Sequence, residues 1–317
     1  MTNKINILVS GCGGDIGQSI GKILTSYPDR YRVFGTDSSD RNPAKFIFPV
    51  FQLGLPVTDP QFPDRLRALI REHRIDLYIP VAEPELRFFA AHGFSGEIEQ
   101  ARMVTANARA LHTGFDKLRT AAFLKEAGLP HPETWPAAGY RGQLPRPFIL
   151  KARTGSGSKN CWLIRDLNDQ DYLFSKIDPE AYIVQEYLEA GDDEYTCGLF
   201  RGSDGLVRSI SFRRELTGGY SGYGELAENQ QIDALLHQIA EKLDLRGSVN
   251  VQLRLRDGQP VVFEINPRFS STVLYRHLFG FRDLLWSVSD ALGEPVENYV
   301  PDPRLKYFYK GFSEYVS

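Results

Sequence analysis

Short apolar runs alternate with helical patterns over the first third of the chain. Apolar runs that end in glycine-rich or polar turns predict strands, and apolar residues at helical spacing predict helices. The predicted strands are at 5–9, 31–35 and 76–81, and the predicted helices at 16–24 and 62–73. Alternation of strands and helices with short loops favours a parallel, doubly wound sheet. We therefore predict a Rossmann-like α/β domain over residues 1–112.

The pattern changes after residue 112. A helix is predicted from Asp116 to about Ala127, where Gly128 and two prolines end it. Strand-like runs then dominate, and only one further long helical pattern is found, at 232–243. The predicted strands of this part are at 148–152, 161–164, 182–187, 194–200, 207–213, 248–255 and 260–265. We predict an α+β region with a large antiparallel component, in two parts at 113–185 and 186–317.

Composition and charge narrow the class of protein. The 317 residues are 42% hydrophobic and 24% charged, which allows a sizeable core in two or three packed units. Lys and Arg number 37 and Asp and Glu 40, so the net charge is −3, which excludes a broad electrostatic grip on nucleic acid as the main role. The three cysteines have no CxxC spacing, and no apolar run reaches about 18 residues. We expect a soluble cytoplasmic protein without a membrane partner.

A glycine-rich turn follows the first predicted strand. Gly11, Gly14 and Gly17 fit the pattern GxxGxxG, and Gly13 lies within it. Glycines at this place allow the backbone to approach a phosphate at a helix N-terminus. Asp37 follows Gly17 by 20 residues, at the place of an acid that holds a ribose hydroxyl in dinucleotide-binding domains.

This turn resembles that of the extended short-chain dehydrogenases and epimerases. Tyr172 and Lys176 supply the YxxxK motif of those enzymes. An NAD-dependent epimerase or reductase is therefore one hypothesis. The alternative is that the turn belongs to one of the many doubly wound domains that bind no dinucleotide.

Two lysines predict a phosphate site in the second region. Lys151 ends an apolar strand and is followed by a flexible loop that contains Gly155, Ser156, Gly157 and Ser158. Backbone N–H groups of such a loop can cover a phosphate pair held by the lysine. The loop lacks the GxxxxGK[ST] pattern of a Walker A motif. Lys117, at the start of a predicted helix, is a second candidate cation.

A hinge-like segment lies further along the chain. Gln185, Glu186, Tyr187 and Leu188 end an apolar strand, where backbone groups can face an adenine edge. Glu194 follows and can accept hydrogen bonds from ribose hydroxyls.

Oxygen ligands are concentrated on the last predicted hairpin. Glu264 and Asn266 lie on one face of a strand, because side chains alternate with a period of two. The turn 256–258 predicts a hairpin that can place Gln252 opposite them. Such oxygens suit Mg²⁺, and Arg268 follows directly for phosphate. An unpaired carboxylate is costly after the buried run 261–263, which favours a functional role for Glu264.

These segments, in this order, resemble the ATP-grasp superfamily, and more closely its branch around the large subunit of carbamoyl-phosphate synthetase. The resemblance spans nearly the whole chain, and the sequence 264–268 is its most specific mark. It implies a Rossmann-like domain, then a linker helix with a lid subdomain, then a C-terminal subdomain that binds metal and nucleotide. The chain is far shorter than a complete synthetase large subunit and has no duplicated half, so we do not expect that full activity.

The resemblance also assigns roles to residues. It implies that Lys117 and Lys151 bind the ATP phosphates, and that the loop of Gly155, Ser156, Gly157 and Ser158 covers them. It implies that the hinge binds adenine through Gln185, Glu186, Tyr187 and Leu188. Glu194 would bind the ribose. It implies one or two Mg²⁺ at Gln252, Glu264 and Asn266, with Arg268 at the reacting phosphate. The chain departs from many members at Gln252, where those members have an acid. Members often have a basic residue near the γ-phosphate where this chain has Arg213 and Arg214, and the sequence leaves open which of the two has that place.

The activity that follows from the resemblance is ATP-dependent ligation. A small-molecule carboxylate is activated as an acyl phosphate with release of ADP, and an amine then forms an amide. Gly11, Gly13 and Gly14 would contact substrate rather than NAD, and Arg276 and His277 are further candidates for substrate contacts. A non-catalytic nucleotide-binding regulator is a third hypothesis. The tail 306–310 predicts a last strand or a subunit contact, which leaves a homodimer open.

Overall fold

A mostly parallel sheet forms from the first third of the chain. The computed structural model describes residues 4–93, 96–155, 160–189, 194–218, 220–311 and 313–316. The strands of this sheet are β1 (Ile5–Ser10), β2 (Tyr31–Asp37), β3 (Val50–Leu53), β4 (Leu77–Ile79), β5 (Glu97–Ile98) and β6 (Ala101–Met103). Their order is β3-β2-β1-β4-β6-β5, and β5 pairs antiparallel with β6 while the other pairs are parallel.

Helices cover both faces of this first sheet. They are α1 (Asp15–Thr25), α2 (Ala44–Ile47), α3 (Phe62–Glu72) and α4 (Glu83–Ala91). Ile7 and Val9 pack in one cluster with Ile20 of α1, whereas Leu8 packs in another with Leu66 of α3. Successive residues of β1 thus face opposite helical layers, which confirms the predicted doubly wound arrangement.

Two helices lead into a second, antiparallel sheet. They are α5 (Ala108–Gly114) and α6 (Lys117–Glu126). The carboxylate of Asp116 caps α6 by accepting a hydrogen bond from the Leu118 N–H. The second sheet contains β7 (Thr134–Pro136), β8 (Phe148–Ala152), β9 (Cys161–Ile164) and β10 (Tyr182–Glu186) in the order β7-β10-β8-β9. The helix α7 (Leu167–Phe174) and a 3₁₀ turn (Pro179–Ala181) connect β9 to β10.

The third sheet is antiparallel and packs against hydrophobic clusters on both faces. Its strands are β11 (Glu194–Arg201), β12 (Val207–Thr217), β13 (Tyr220–Leu226), β14 (Gly247–Arg256), β15 (Gln259–Asn266) and β16 (Tyr307–Tyr309), in the order β15-β14-β11-β12-β13-β16. The apolar face of α8 (Gln230–Lys242) covers the buried side chains of β11 and β14. Part of the opposite face packs against a second cluster, which contains Phe200 of β11, Phe212 of β12 and Phe308 of β16, and the rest of that face has the polar residues described below.

The C-terminal helices return to the first sheet. Val273 of α9 (Val273–Leu278) and Leu284 of α10 (Asp283–Leu292) join the core cluster of Ile7 and Val9. The tail forms the last strand, β16, as predicted. The boundaries at residues 112 and 185 stay predictions. Within the described residues, no helix has the length and apolarity that crossing a bilayer requires.

Candidate functional site

A cleft of about 790 Å³ lies where the three sheets meet. The turn after β1 forms one wall, strands β8 and β10 form the second, and the polar face of β14 and β15 forms the third. Most of the residues predicted from the sequence line this cleft: Gly11, Gly14, Lys117, Lys151, Gly155, Gln185, Glu186, Tyr187, Leu188, Glu194, Arg214, Gln252, Glu264, Asn266 and Arg268. Residues that are separated by up to 257 positions (268 − 11) are therefore brought into one cavity.

The last hairpin has the register that its pattern predicted. Gln252 on β14 pairs directly with Glu264 on β15, and Asn250 pairs with Asn266. A bulge after Gln252 shifts the register beyond this point. The amide of Gln252, the carboxylate of Glu264 and the amide of Asn266 are thereby grouped on the cleft side of the sheet.

Two lysines from different elements face Glu264. The Lys117 Nζ lies 3.7 Å from the Glu264 Oε1, and Lys151 reaches the same space from β8. Burial lowers the pKa of Lys151 to about 8, although the negative charge of Glu264 opposes this shift. Only 8% of Lys151 is exposed, so the cleft holds a cation that lacks most of its hydration.

Gly155 is held from both sides at the entry of the predicted loop. Its N–H donates to the Glu83 Oε1 at 3.0 Å, and its carbonyl accepts from the Lys117 Nζ at 2.8 Å. Its φ of +94° is the left-handed region that favours glycine. The predicted loop residues Ser156, Gly157 and Ser158 lie outside the described residues.

The hinge-like segment forms an edge of the cleft beside apolar side chains. Gln185 is buried, and its Nε2 donates to the Thr134 Oγ1 at 2.9 Å. β10 ends at Glu186, and Leu188 follows on the cleft wall. Ile149 and Phe263 add apolar surface from the two facing sheets, so this end of the cleft suits a flat ring with polar edges.

Glu194 organises two arginines. One carboxylate oxygen accepts from the Arg214 Nη2 at 2.7 Å and the other from the Arg254 Nη2 at 2.6 Å. Arg254 was missed from the sequence, although it follows Gln252 by two residues on one strand and so faces the same side.

The structure decides between the two candidate arginines of β12. Arg214 lines the cleft, whereas Arg213 pairs with Glu225 at 2.6 Å and does not. Neighbouring residues of a strand face opposite sides, so one of the two had to point away. The prediction of Arg213 as a phosphate contact is therefore wrong.

Arg276 is a second correction. It is fully buried, and its Nη1 donates to the Asp283 Oδ2 at 3.0 Å. Its other guanidinium atoms donate to Asn250, Ser270 and Thr272. Through these contacts Arg276 links α9, α10 and β14. The side chain therefore has no access to a substrate.

Two more predicted substrate contacts, His277 and Gly13, are not among the described residues that line the cleft. His277 stacks edge-on against Tyr27, and burial lowers the pKa of its imidazole to about 4. Gly13 donates its N–H to the Asp37 Oδ2 at 2.9 Å, and a Cβ there would meet the Asn42 side chain at 2.4 Å. Asp37 thus holds the glycine-rich turn in place from the adjacent strand.

The YxxxK pair lies on the outer part of the second sheet. Tyr172 is 64% exposed on α7, and the Lys176 Nζ is 5.7 Å from the centre of its ring. Neither residue lines the cleft that contains the glycine-rich turn, among the residues described. The structure therefore does not assemble the site that an epimerase would need.

Two antiparallel sheets enclose a cleft that contains two lysines and several oxygen-bearing side chains, an arrangement that suits a nucleotide with its phosphates. Family comparison agrees, since a model of the ATP-grasp domain matches residues 115–272. The matched residues, 115–272, are an ATP-grasp domain.

Individual relatives are distant. The carbamoyl phosphate synthase large chain of Rubrobacter xylanophilus is 24% identical over 200 residues, which cover 56% of this chain and 19% of that one. The match thus spans about a fifth of the curated relative.

Solved structures share the fold across nearly the whole chain. An ADP complex of an N5-carboxyaminoimidazole ribonucleotide synthetase has a TM-score of 0.72 at 16% identity, over 95% of this chain and 81% of that one. An L-amino acid ligase from Bacillus licheniformis has 0.69 at 16%, over 92% and 75%. A biotin carboxylase from Campylobacter jejuni has 0.70 at 12%, over 94% and 73%. The predicted fold class is confirmed.

Proposed function

We propose that this protein is an ATP-dependent ligase that joins a small-molecule carboxylate to an amine. The observation that carries the proposal is the convergence of Lys117, Lys151 and Arg268 around Glu264 in one cleft. Three cations line the same part of the cleft as the carboxylates of Glu264 and Glu83, and this set suits a triphosphate with its Mg²⁺ better than it suits a neutral substrate.

The proposed reaction needs no protein nucleophile. A substrate carboxylate oxygen attacks the γ-phosphorus, which breaks the bond to the β-phosphate oxygen and releases ADP. The nitrogen lone pair of the amine then attacks the acyl carbon, phosphate leaves, and the nitrogen loses its proton as the amide forms. The protein's task is to position the reactants and to neutralise phosphate charge.

Each wall of the cleft has a part in this proposal. Lys117 and Lys151 bind phosphate oxygens, and Arg268 stabilises the phosphoryl group in transfer. Glu264 and Asn266 fit Mg²⁺, because both offer oxygen donors on one face of a strand. When bound, Mg²⁺ supplies charge neutralisation at the phosphates. The hinge and Glu194 bind adenosine, and the turn at Gly11 and Gly14 faces the substrate end.

Relatives support this reaction class. The structurally similar proteins include a synthetase bound to ADP, an L-amino acid ligase and a biotin carboxylase. We extend to this chain only ligation that depends on ATP. A cytoplasmic location fits the three unpaired cysteines, and a homodimer stays a prediction.

The proposal is tested by the products and by nucleotide choice. Incubation with ATP, Mg²⁺ and pooled carboxylates and amines should release ADP and phosphate. Release of AMP and pyrophosphate would indicate an adenylating enzyme instead. MgATP should also raise the melting temperature by a few degrees, because a ligand at 100 times its Kd stabilises the native state by about 2.7 kcal/mol. NAD⁺ should not, and stabilisation by NAD⁺ without a response to ATP would refute the proposal.

Replacement of Tyr172 separates the ligase from the epimerase hypothesis. The exposed hydroxyl of Tyr172 lies outside the cleft, so Tyr172→Phe should keep at least about half of the wild-type rate, as is usual for a surface change. The measurement is the rate of ADP release at saturating ATP. Loss of ADP release with an unchanged melting temperature would contradict the placement of Tyr172 outside the active site.

A further inference from the structure

Arg214 occupies a fixed place between the proposed ribose and metal residues. Its Nη2 donates to the Glu194 Oε1 at 2.7 Å and to the Gln252 Oε1 at 3.1 Å. Its Nε donates to the same Glu194 oxygen at 3.2 Å, and its Nη1 donates to the Ser221 Oγ at 3.3 Å. Only 8% of the side chain is exposed. A phosphate chain that ran from Glu194 toward Glu264 would pass close to this guanidinium, because Gln252, which accepts its hydrogen bond, pairs with Glu264.

Negative charge is scarce at the metal face. Of the three predicted metal ligands, Glu264 is the one with a charge, and Lys117 already lies 3.7 Å from it. Within the described residues, no group of three or more His, Cys, Asp or Glu side chains could hold a metal ion. A second ion would add two positive charges next to Glu264, the one charged side chain among the predicted ligands.

The position of Gln252 disfavours a second ion more directly. A hard cation binds oxygen at about 2.1 Å, so one bound to the Gln252 Oε1 would lie within about 5 Å of the Arg214 Nη2. A guanidinium does not lose its proton in proteins. Repulsion between the two cations is poorly screened in a partly buried cleft.

Building on the nucleotide site of the proposed function, we propose that the cleft binds a single Mg²⁺ at Glu264 and Asn266, and that Arg214 takes the place of a second. Gln252 is then the hydrogen-bond acceptor that orients Arg214, and its neutral amide suits that task. Glu194 fixes the guanidinium from the other side. These contacts use four of the five N–H donors of the guanidinium, so one Nη1 N–H remains that can donate to a phosphate oxygen.

Counting metal ions tests the proposal without relying on activity. Mn²⁺ is titrated into the protein with the non-hydrolysable analogue AMP-PNP, and bound Mn²⁺ is obtained from the electron paramagnetic resonance signal of the free ion. We expect one Mn²⁺ per bound AMP-PNP. Two would overturn the single-metal proposal while leaving the proposed function intact. Failure to bind AMP-PNP at all would overturn the proposed function, and the single-metal proposal with it.

A pair of double variants tests the role of Arg214. Arg214→Met with Gln252→Glu removes a positive charge and adds a carboxylate, so it should bind a second Mn²⁺. Arg213→Met with Gln252→Glu has the same change in net charge but keeps Arg214, and its count should stay at one. A count of one in both variants would contradict the role of Arg214. If the first variant does not fold, the wild-type count alone still decides between one ion and two.

Discussion

Glu264→Gln should reduce ligase turnover by at least about 10²-fold while the protein stays folded. That factor is typical for removal of one preorganised electrostatic group. The amide keeps the shape of the side chain but removes the carboxylate from the proposed metal site. Lys117, which lies 3.7 Å from the carboxylate, and the buried Lys151 also lose their shared counter-charge. The rate of ADP release should therefore fall, and its Mg²⁺ requirement should rise.

The matched control is Glu225→Gln. Glu225 pairs with Arg213 at 2.6 Å outside the cleft, so this variant makes the same chemical change without touching the site. It should turn over at close to the wild-type rate. Circular dichroism and a thermal melt confirm folding of both proteins. Normal turnover of Glu264→Gln at low Mg²⁺ would show that the metal assignment is wrong.

Lys151→Met should stabilise the unliganded protein and severely weaken ATP binding. Burial lowers the pKa of Lys151 from 10.5 to about 8, a shift worth roughly 3 kcal/mol against the folded state at pH 7. Methionine fills similar space without a charge to desolvate. Loss of the phosphate cation should reduce affinity for MgATP by about 10²-fold, since charge-assisted hydrogen bonds contribute about 1.5–3 kcal/mol each.

The effect of Lys151→Met on the free energy of unfolding should depend on pH. Because the folded-state pKa lies below the unfolded one, charged Lys151 destabilises the fold fully below pH 8, and the penalty disappears as pH rises toward 10.5. The stability gain of Lys151→Met should therefore be largest at pH 7 and should shrink by pH 10. Urea denaturation at both values measures it. Lys125→Met, at an exposed lysine of α6, should show neither effect, and an equal gain at both pH values would contradict the argument.

The periodicity of apolar residues predicted the strands and helices whose local sequence pattern agrees with the burial of their side chains. The hairpin of β14 and β15 follows from alternation and from the turn at Asp257 and Gly258, whose φ values of +51° and +78° suit such a turn. β7, β13 and α9 were not predicted, because they are short or lie in glycine-rich and aromatic stretches. Their structure depends on neighbours that are distant in sequence.

Side-chain direction explains the errors at the site. Arg213 and Arg214 are adjacent and chemically identical in sequence, and only pairing of β12 with β11 and β13 decides which one faces the cleft. Arg276 looked like a binding residue because arginine is usually exposed. Its buried partner, Asp283, lies seven residues away on the next helix, and no spacing rule links the two.

The packing of α9 shows that the segment matched by the family model is not the segment that folds as one core. The family match ends at residue 272, yet Val273 is fully buried in the core that also contains Ile7 and Val9. A gene fragment cut at the limits of the recurring domain would expose the apolar side of the first sheet and leave its own end unsupported. A domain exchanged alone would therefore need an N-terminal domain whose sheet packs against α9 and α10 in the same way.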